Sequence, residues 1–277
     1  MAQGGISVRF WGVRGSIPCP GPATLRYGGN TACVEMRCGN HVLIFDAGSG
    51  IRALGAALLN DPAAKDVDIL FSHGHIDHLI GLPFFEPLHR PGHTVRLWAG
   101  RHQPSDGIEK TVKKFLSHPL FPIGVENFQA KIELHDFQPG NTLTLNDGLM
   151  LRTAVLNHPG GATGYRIDFG GRSVAYVTDL ELGSKAPDQG LLGLARDADL
   201  LIIDATYTND EMPAHTGWGH SSWQQVLALA DQAGAAKVCL FHHDPDHDDE
   251  FMDRVAVAAA KVRPGTMVAR EGLVLDV

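Results

Sequence analysis

Four side chains able to bind a metal, His73, His75, Asp77 and His78, fall within six residues of the stretch SHGHIDHLIG. In an extended segment residues two apart point the same way, so His73, His75 and Asp77 face together. His78 follows at once and points elsewhere if the chain turns into a helix there. The cluster can therefore face two neighbouring metal positions. One zinc takes about four ligands. Two metals about 3.5–4 Å apart need more, including a bridging carboxylate and water. His158, Asp179 and His242 are the candidates, each closing an apolar run: TAVLNH, SVAYVTD and KVCLFH. A lone histidine or aspartate at a strand end is ordinarily a surface residue or a turn former. These three gain weight from the tight cluster, because ordering four such polar groups without a cation is costly. Five histidines and two aspartates suit zinc, manganese or iron and do not choose among them.

The elements that must position these residues read as strands alternating with shorter helices. HVLIF runs into Asp46 and a glycine turn, and IRALGAALL follows at helical spacing. The apolar strand Asp68 to Phe71 runs straight into the histidine cluster. TVRLWAG predicts a strand, and Gly107 to Leu116 a helix. TLTLNDGLMLRTAVLNH predicts a hairpin turning at Asn146-Asp147-Gly148. GYRIDFGGRSVAYVTD predicts a second, turning at Gly170-Gly171. LLIID predicts a buried strand. Ser221 and Ser222 each precede a glutamine by three positions, a capping-box signature for the helix that follows. KVCLF, DEFMDRVAVAAAKV and GLVLDV read as strand, helix and closing strand. Asp46, His73, His158, Asp179, Asp204 and His242 all sit at the ends of apolar strands, where a rigid scaffold presents chemistry. Sheet-rich halves with helices outside predict a layered α/β sandwich, and one domain over residues 1–277.

Composition narrows the partners. The formal net charge is −8. An acidic chain is a poor general binder of long nucleic acid, whereas a small anionic substrate remains open because a metal supplies positive charge locally. No run of about 18 apolar residues predicts a membrane span. MAQGGISVRF has no secretory pattern, so a cytoplasmic location is expected. Cys19, Cys33, Cys38 and Cys239 show no C-x-x-C spacing and read as free thiols. The reading allows a homodimer.

SHGHIDH resembles the H-x-H-x-D-H motif of the metallo-β-lactamase superfamily, and the later order of His, Asp and His is similar too. The resemblance spans most of the chain. It implies a four-layer αββα sandwich of two pseudo-duplicated halves with two divalent metal ions, zinc foremost. His73, His75 and His158 would hold the first and Asp77, His78 and His242 the second. Asp179 would bridge them together with a hydroxide. The late ligand falls in LFHHDPDHDD. His242 follows the strand directly and matches the family position best. Consecutive strand residues face opposite sides, which separates it from His243.

Two further stretches resemble the ribonuclease Z and cyclic phosphodiesterase branch. DATYTNDEM matches its acidic segment and GHSSW its G-H-S-T segment, so the resemblance implies catalytic roles for Asp204 and His220 alongside Asp77. The aspartate stands where that branch has the longer glutamate. A histidine oriented by a carboxylate can protonate the alkoxide that leaves a phosphodiester. WGVRGSIPCPGP and YGGNTACV resemble the branch's glycine-rich loops, in which Arg14, Asn30 and Thr31 either touch substrate or brace the loop. Asp46 reads as the orienter of a ligand imidazole, and Arg166 as structural. The long basic arm of ribonuclease Z has no counterpart beyond GIEKTVKKFLSHPLFPIG. Its Lys110, Lys113 and Lys114 read as a solvated face, and Phe115, Leu120 and Phe121 as residues that could cap a pocket. The expected function is a dinuclear-metal phosphodiesterase acting on a small, possibly cyclic, phosphodiester. A lactam, lactone or thioester hydrolase and a tRNA-processing endoribonuclease are the alternatives.

Overall fold

Apolar runs of five to eight residues bounded by glycine and aspartate build two mixed sheets in the computed structural model, which describes residues 4–103, 107–145, 148–183 and 187–277. The first sheet contains β1 (Ile6–Gly12), β2 (Cys33–Cys38), β3 (His41–Phe45), β4 (Asp66–Phe71), β5 (Thr94–Gly100), β6 (Lys131–Phe137) and β14 (Val274–Asp276), ordered β14-β1-β2-β3-β4-β5-β6. The second contains β7 (Thr142–Thr144), β8 (Met150–Leu156), β9 (Ala162–Phe169), β10 (Arg172–Val177), β11 (Leu200–Asp204), β12 (Lys237–Phe241) and β13 (Met267–Val268), in that spatial order. The two expected hairpins are β7-β8 and β9-β10. Gly170 and Gly171 turn the second with φ of 59° and 76°, a conformation that glycine adopts without strain. Asn146 and Asp147 of the first turn lie outside the described residues.

The duplication implied by the resemblance is visible in the pairing. Along β14-β1-β2-β3 neighbours are antiparallel, and from β3 through β6 they are parallel. Along β7-β8-β9-β10 they are antiparallel, and from β10 through β13 parallel. Strand β3 thus corresponds to β10, and β4 to β11. Asp46 follows β3 and Asp179 follows β10, each with positive φ, 61° and 55°. Each half therefore presents an aspartate at the same point of its sheet, on backbone that non-glycine residues rarely adopt.

Helices cover the outer faces. Helix α1 (Ile51–Leu58) and α2 (Ile108–Phe115) pack on the first sheet through Leu54, Leu58, Ile108 and Val112. Helices α3 (Gln189–Ala195), α5 (Trp223–Ala233) and α6 (Asp249–Val262) pack on the second through Leu191, Val226 and Ala259. A short α4 (Met212–His215) lies between β11 and α5. The inner faces meet in one core that joins Phe10, Val34 and Phe45 to Tyr165, Tyr176, Ile202 and Phe241. Burying each large apolar side chain there contributes about 1.5–3 kcal/mol. Two tyrosines stitch the sheets beneath the histidine cluster: Tyr165 donates to Phe71 O at 2.6 Å, and Tyr176 donates to Asp46 Oδ2 at 2.8 Å. This is the αββα sandwich expected from the sequence.

Candidate metal centre

The seven expected ligands converge where the parallel strands of both sheets end. After β4 the chain stays extended through His73 and His75, then closes a tight turn over Ile76–His78. That turn separates the four residues. The ligand atoms of His73, His75 and His158 lie within 4.8 Å of one another, and so do those of Asp77, His78 and His242. His158 Nε2 is 3.1 Å from His75 Nδ1.

Asp179 stands between the two groups and shares its oxygens. Its Oδ1 lies 3.8 Å from His73 Nε2 and 3.6 Å from His158 Nε2. Its Oδ2 lies 3.2 Å from His78 Nε2 and 3.3 Å from His242 Nε2. Asp77 Oδ2 completes the second group at 3.2 Å from His78 Nε2 and 3.3 Å from His242 Nε2. Ligands held at zinc distances in a tetrahedron stand about 3.4 Å apart, so these spacings fit a cation in each group. The Nε2 atoms of His73, His78 and His242 are buried without a hydrogen-bond partner, as atoms reserved for a cation would be.

Electrostatics point the same way. Burial works against an imidazolium at His78, yet Asp77, Asp179 and Asp46 outweigh it and hold its pKa well above the usual histidine value. Burial would raise Asp179, but His242 and His78 hold it well below the usual carboxylate range, and Asp77 is depressed by the same neighbours. His73, His75 and His158 are lowered, chiefly by burial, and so are neutral and free to donate a lone pair. The first group is thus a set of neutral imidazole donors, and at the second the carboxylates favour positive charge, which a divalent cation would supply in place of the proton on His78.

Four of the seven candidate ligands are held from behind. His78 Nδ1 lies 2.9 Å from Asp46 Oδ2, the side chain read as an orienter of a ligand imidazole. Asp46 also accepts from the Ser72 N–H at 2.7 Å. His158 Nδ1 donates to Gly219 O at 2.9 Å. Asp77 Oδ2 accepts the Ser16 N–H at 2.8 Å, and Thr178 donates to Asp179 Oδ2 at 2.7 Å. Two glycines allow ligand rings to approach backbone. A Cβ on Gly15 would come within 2.3 Å of the His242 ring, and one on Gly219 within 2.2 Å of His158 Nδ1. Apart from Asp46, these supports do not stand out in the sequence. Ser16 N and Gly219 O are backbone atoms, which residue type does not mark.

Asp204 and His220 form a pair beside the centre. His220 Nδ1 donates to Asp204 Oδ2 at 2.7 Å. The shorter aspartate therefore still reaches. Asp204 Oδ1 is itself fixed by the Thr206 N–H at 3.2 Å and hydroxyl at 3.1 Å. Burial lowers the His220 pKa, but Asp204 overcomes it and the group is pushed up to about 9. The His220 ring lies 5.4 Å from that of His158 and 5.0 Å from that of His242.

The remaining candidates separate cleanly. His243 is buried, donates from Nε2 to Ala269 O at 2.8 Å and takes no part in either group, while His247 meets Glu211 at 2.8 Å. Arg14 is wholly buried and bonds the carbonyls of Gly28, Asp244 and His247, so it braces its loop. Asn30 is held by Glu271, and Thr31 by Ser49. Arg166 bonds Leu194 O and Asp168 and is structural. All four cysteines are free. No helix among the described residues is long and apolar enough to cross a membrane. Beside His73 and His75 opens a cavity of about 440 Å³, lined in part by Lys114, Phe115 and Leu120 of the 101–125 segment. Phe121 does not line it but packs on Phe84 at 5.9 Å. Of the three lysines read as a solvated face, Lys113 pairs outward with Glu109, whereas Lys114 faces the cavity.

Known proteins resemble this chain in sequence and in fold. Residues 41–243 match the model of the β-lactamase superfamily domain. The chain is 24% identical to a ribonuclease Z from Gemmatimonas aurantiaca over 98% of its own length and 96% of that protein's. Among solved structures, the metallo-β-lactamase fold protein YhfI from Bacillus subtilis superposes with a TM-score of 0.71 at 21% identity, covering 99% of this chain and 100% of the other. A diphosphatase of the PhnP family gives a TM-score of 0.70 at 20% identity, covering 98% and 97%.

Proposed function

The chain belongs to the metallo-β-lactamase superfamily, and on that premise we propose that this metal-dependent hydrolase is a dinuclear phosphodiesterase acting on a small phosphodiester, cyclic ones included. The observation that carries the reading is the Asp204–His220 pair at 2.7 Å beside the two ligand groups. His73, His75 and His158 would hold one divalent cation, Asp77, His78 and His242 the other, with Asp179 common to both. When bound, the cations lower the pKa of water and neutralise charge on the phosphodiester. Zinc is our first choice, since imidazole and carboxylate donors suit it.

The chain's own residues supply the proton. Water displaces an alkoxide from phosphorus: a bond from the water oxygen to phosphorus forms as the bond to the leaving oxygen breaks. Asp204 pushes the His220 pKa up, to about 9, which favours a protonated ring. Its Nδ1 is committed to Asp204, which leaves Nε2–H for the departing oxygen. The proton lost by the attacking water restores the balance. Asp204 fixes the ring and its charge, and Thr206 fixes Asp204. A lactam, lactone or thioester hydrolase has no need of this pair. We read residues 1–277 as one catalytic domain.

A second reading is an endoribonuclease that processes tRNA. It is favoured by the near full-length similarity to a protein named ribonuclease Z, and it means that long nucleic acid stays in the test despite the net charge of −8. Metal-loaded protein should be assayed against cyclic nucleotides, cyclic sugar phosphates, an aryl phosphodiester, precursor tRNA, lactams and thioesters. We expect the small diesters to turn over fastest. Activity on precursor tRNA alone would select the second reading, and activity confined to lactams or thioesters would refute both.

A further inference from the structure

The cavity beside the centre has no part in the proton transfer proposed for His220. Its volume of about 440 Å³ falls in the range of small-molecule sites. His73 and His75 form one end. One face of α2 forms a wall, with Ile108, Thr111, Lys114 and Phe115 at helical spacing. Phe71 and Leu79 stand among the remaining apolar lining, and Leu120, 69% exposed, sits at the rim. Gly160 and Gly161 add backbone without side chains. Among the described residues no carboxylate lines the cavity, and Lys114 is its one lysine or arginine. Asp77, His78, His220 and His242 do not line it.

In the mechanism proposed above His220 gives its proton to the leaving oxygen, so the leaving group lies toward His220. The cavity is lined by His73 and His75 and not by His220. Building on the phosphodiesterase reading, we propose that this cavity is the specificity site for the ester group that stays on phosphorus, and that it takes an aromatic or heteroaromatic ring of nucleoside size. Apolar walls with Phe115 among them favour a flat ring over a polar sugar alone. Among the described residues Lys114 brings the lining its one lysine or arginine charge, which suits an anionic ligand. A methyl ester would leave most of the space empty.

The test holds the leaving group constant and changes the retained group. 4-Nitrophenyl diesters carrying methyl, phenyl or thymidine-5′ as the second ester are compared on metal-loaded protein. Calorimetry measures the products methyl phosphate and phenyl phosphate in parallel, a readout independent of turnover. We expect kcat/KM for the phenyl and thymidine diesters to exceed that for methyl at least tenfold, and phenyl phosphate to bind at least tenfold more tightly than methyl phosphate. Thr111→Trp fills the cavity and should bring both ratios close to one. Leu120→Asp changes an exposed rim residue, so it reads out even if the tryptophan variant fails to fold, and it should shrink both ratios. Equal rates and affinities across the series, or ratios unmoved in a folded variant, would overturn the cavity assignment while leaving the phosphodiesterase intact. No turnover of any diester would instead overturn the phosphodiesterase reading and the assignment that rests on it.

Discussion

At the scale of single residues, Asp179 and His220 divide the work. Asp179 offers one oxygen to each ligand group, so Asp179→Ala should lower bound metal below two per chain and turnover by at least about a thousandfold, read by elemental analysis and steady-state kinetics. His220 acts only where a proton is needed. His220→Ala should slow an alkyl leaving group by about 10²–10⁴-fold and 4-nitrophenolate far less, because an activated leaving group departs without protonation. Equal losses on both would remove its role as acid. The candidate ligands stood out in the sequence because histidine and aspartate have few other reasons to crowd together. The preference for His242 over His243 came from the family position, and strand alternation added only that the two would not serve together. Gly15 and Gly219 did not stand out, since their importance lies in how close a ring from a distant segment comes. Gly15→Ala should weaken metal at the group holding His242, and Gly219→Ala at the group holding His158. Stepwise metal titration of each variant would distinguish them from a general loss of binding at both groups.

At the scale of elements, strand ends set the ligands and helix starts set the acid. Helix α5 begins at Ser222, whose side chain accepts from the Gln225 N–H while the Gln225 side chain accepts from the Ser222 N–H. The sequence offered Ser221 and Ser222 equally as the cap. The structure uses Ser222, because Ser221 Oγ is bonded to Leu180 O at 2.5 Å. Ser222→Ala should cost about 1 kcal/mol of stability, measured by denaturant unfolding, and loosen His220 two residues upstream. A loss of activity on alkyl esters larger than on 4-nitrophenyl esters would show that the cap positions the acid; a uniform loss would show that it does not. Helix α2 was legible as a helix from its spacing, but its cavity-facing side was not. Its lysines look alike in sequence, and only the packing of Val112 against the sheet turns Lys114 toward the cavity.

At the scale of the whole molecule, two sheets with the same succession of antiparallel and parallel pairs bring Asp46 and Asp179 to corresponding strand ends, and the centre forms where the halves meet. The layered α/β class followed from alternating strands and helices. The duplication did not follow from any repeat in the residues, because it resides in strand pairing, which the sequence encodes only through the fold. Since both halves contribute candidate ligands, cations should stabilise the sandwich. Ligand binding to the native state alone raises stability by about 4 kcal/mol at a thousandfold excess over Kd, so chelation should lower Tm by several degrees and added metal should restore it. A Tm indifferent to metal loading would mean that the centre does not tie the halves together. The most direct measurement of the central claim is a titration of demetallated protein with zinc, following hydrolysis of bis(4-nitrophenyl) phosphate against metal bound per chain. Activity should appear as the second equivalent enters and level off at two per chain. Full activity at one equivalent, or none at two, would contradict a dinuclear phosphodiesterase.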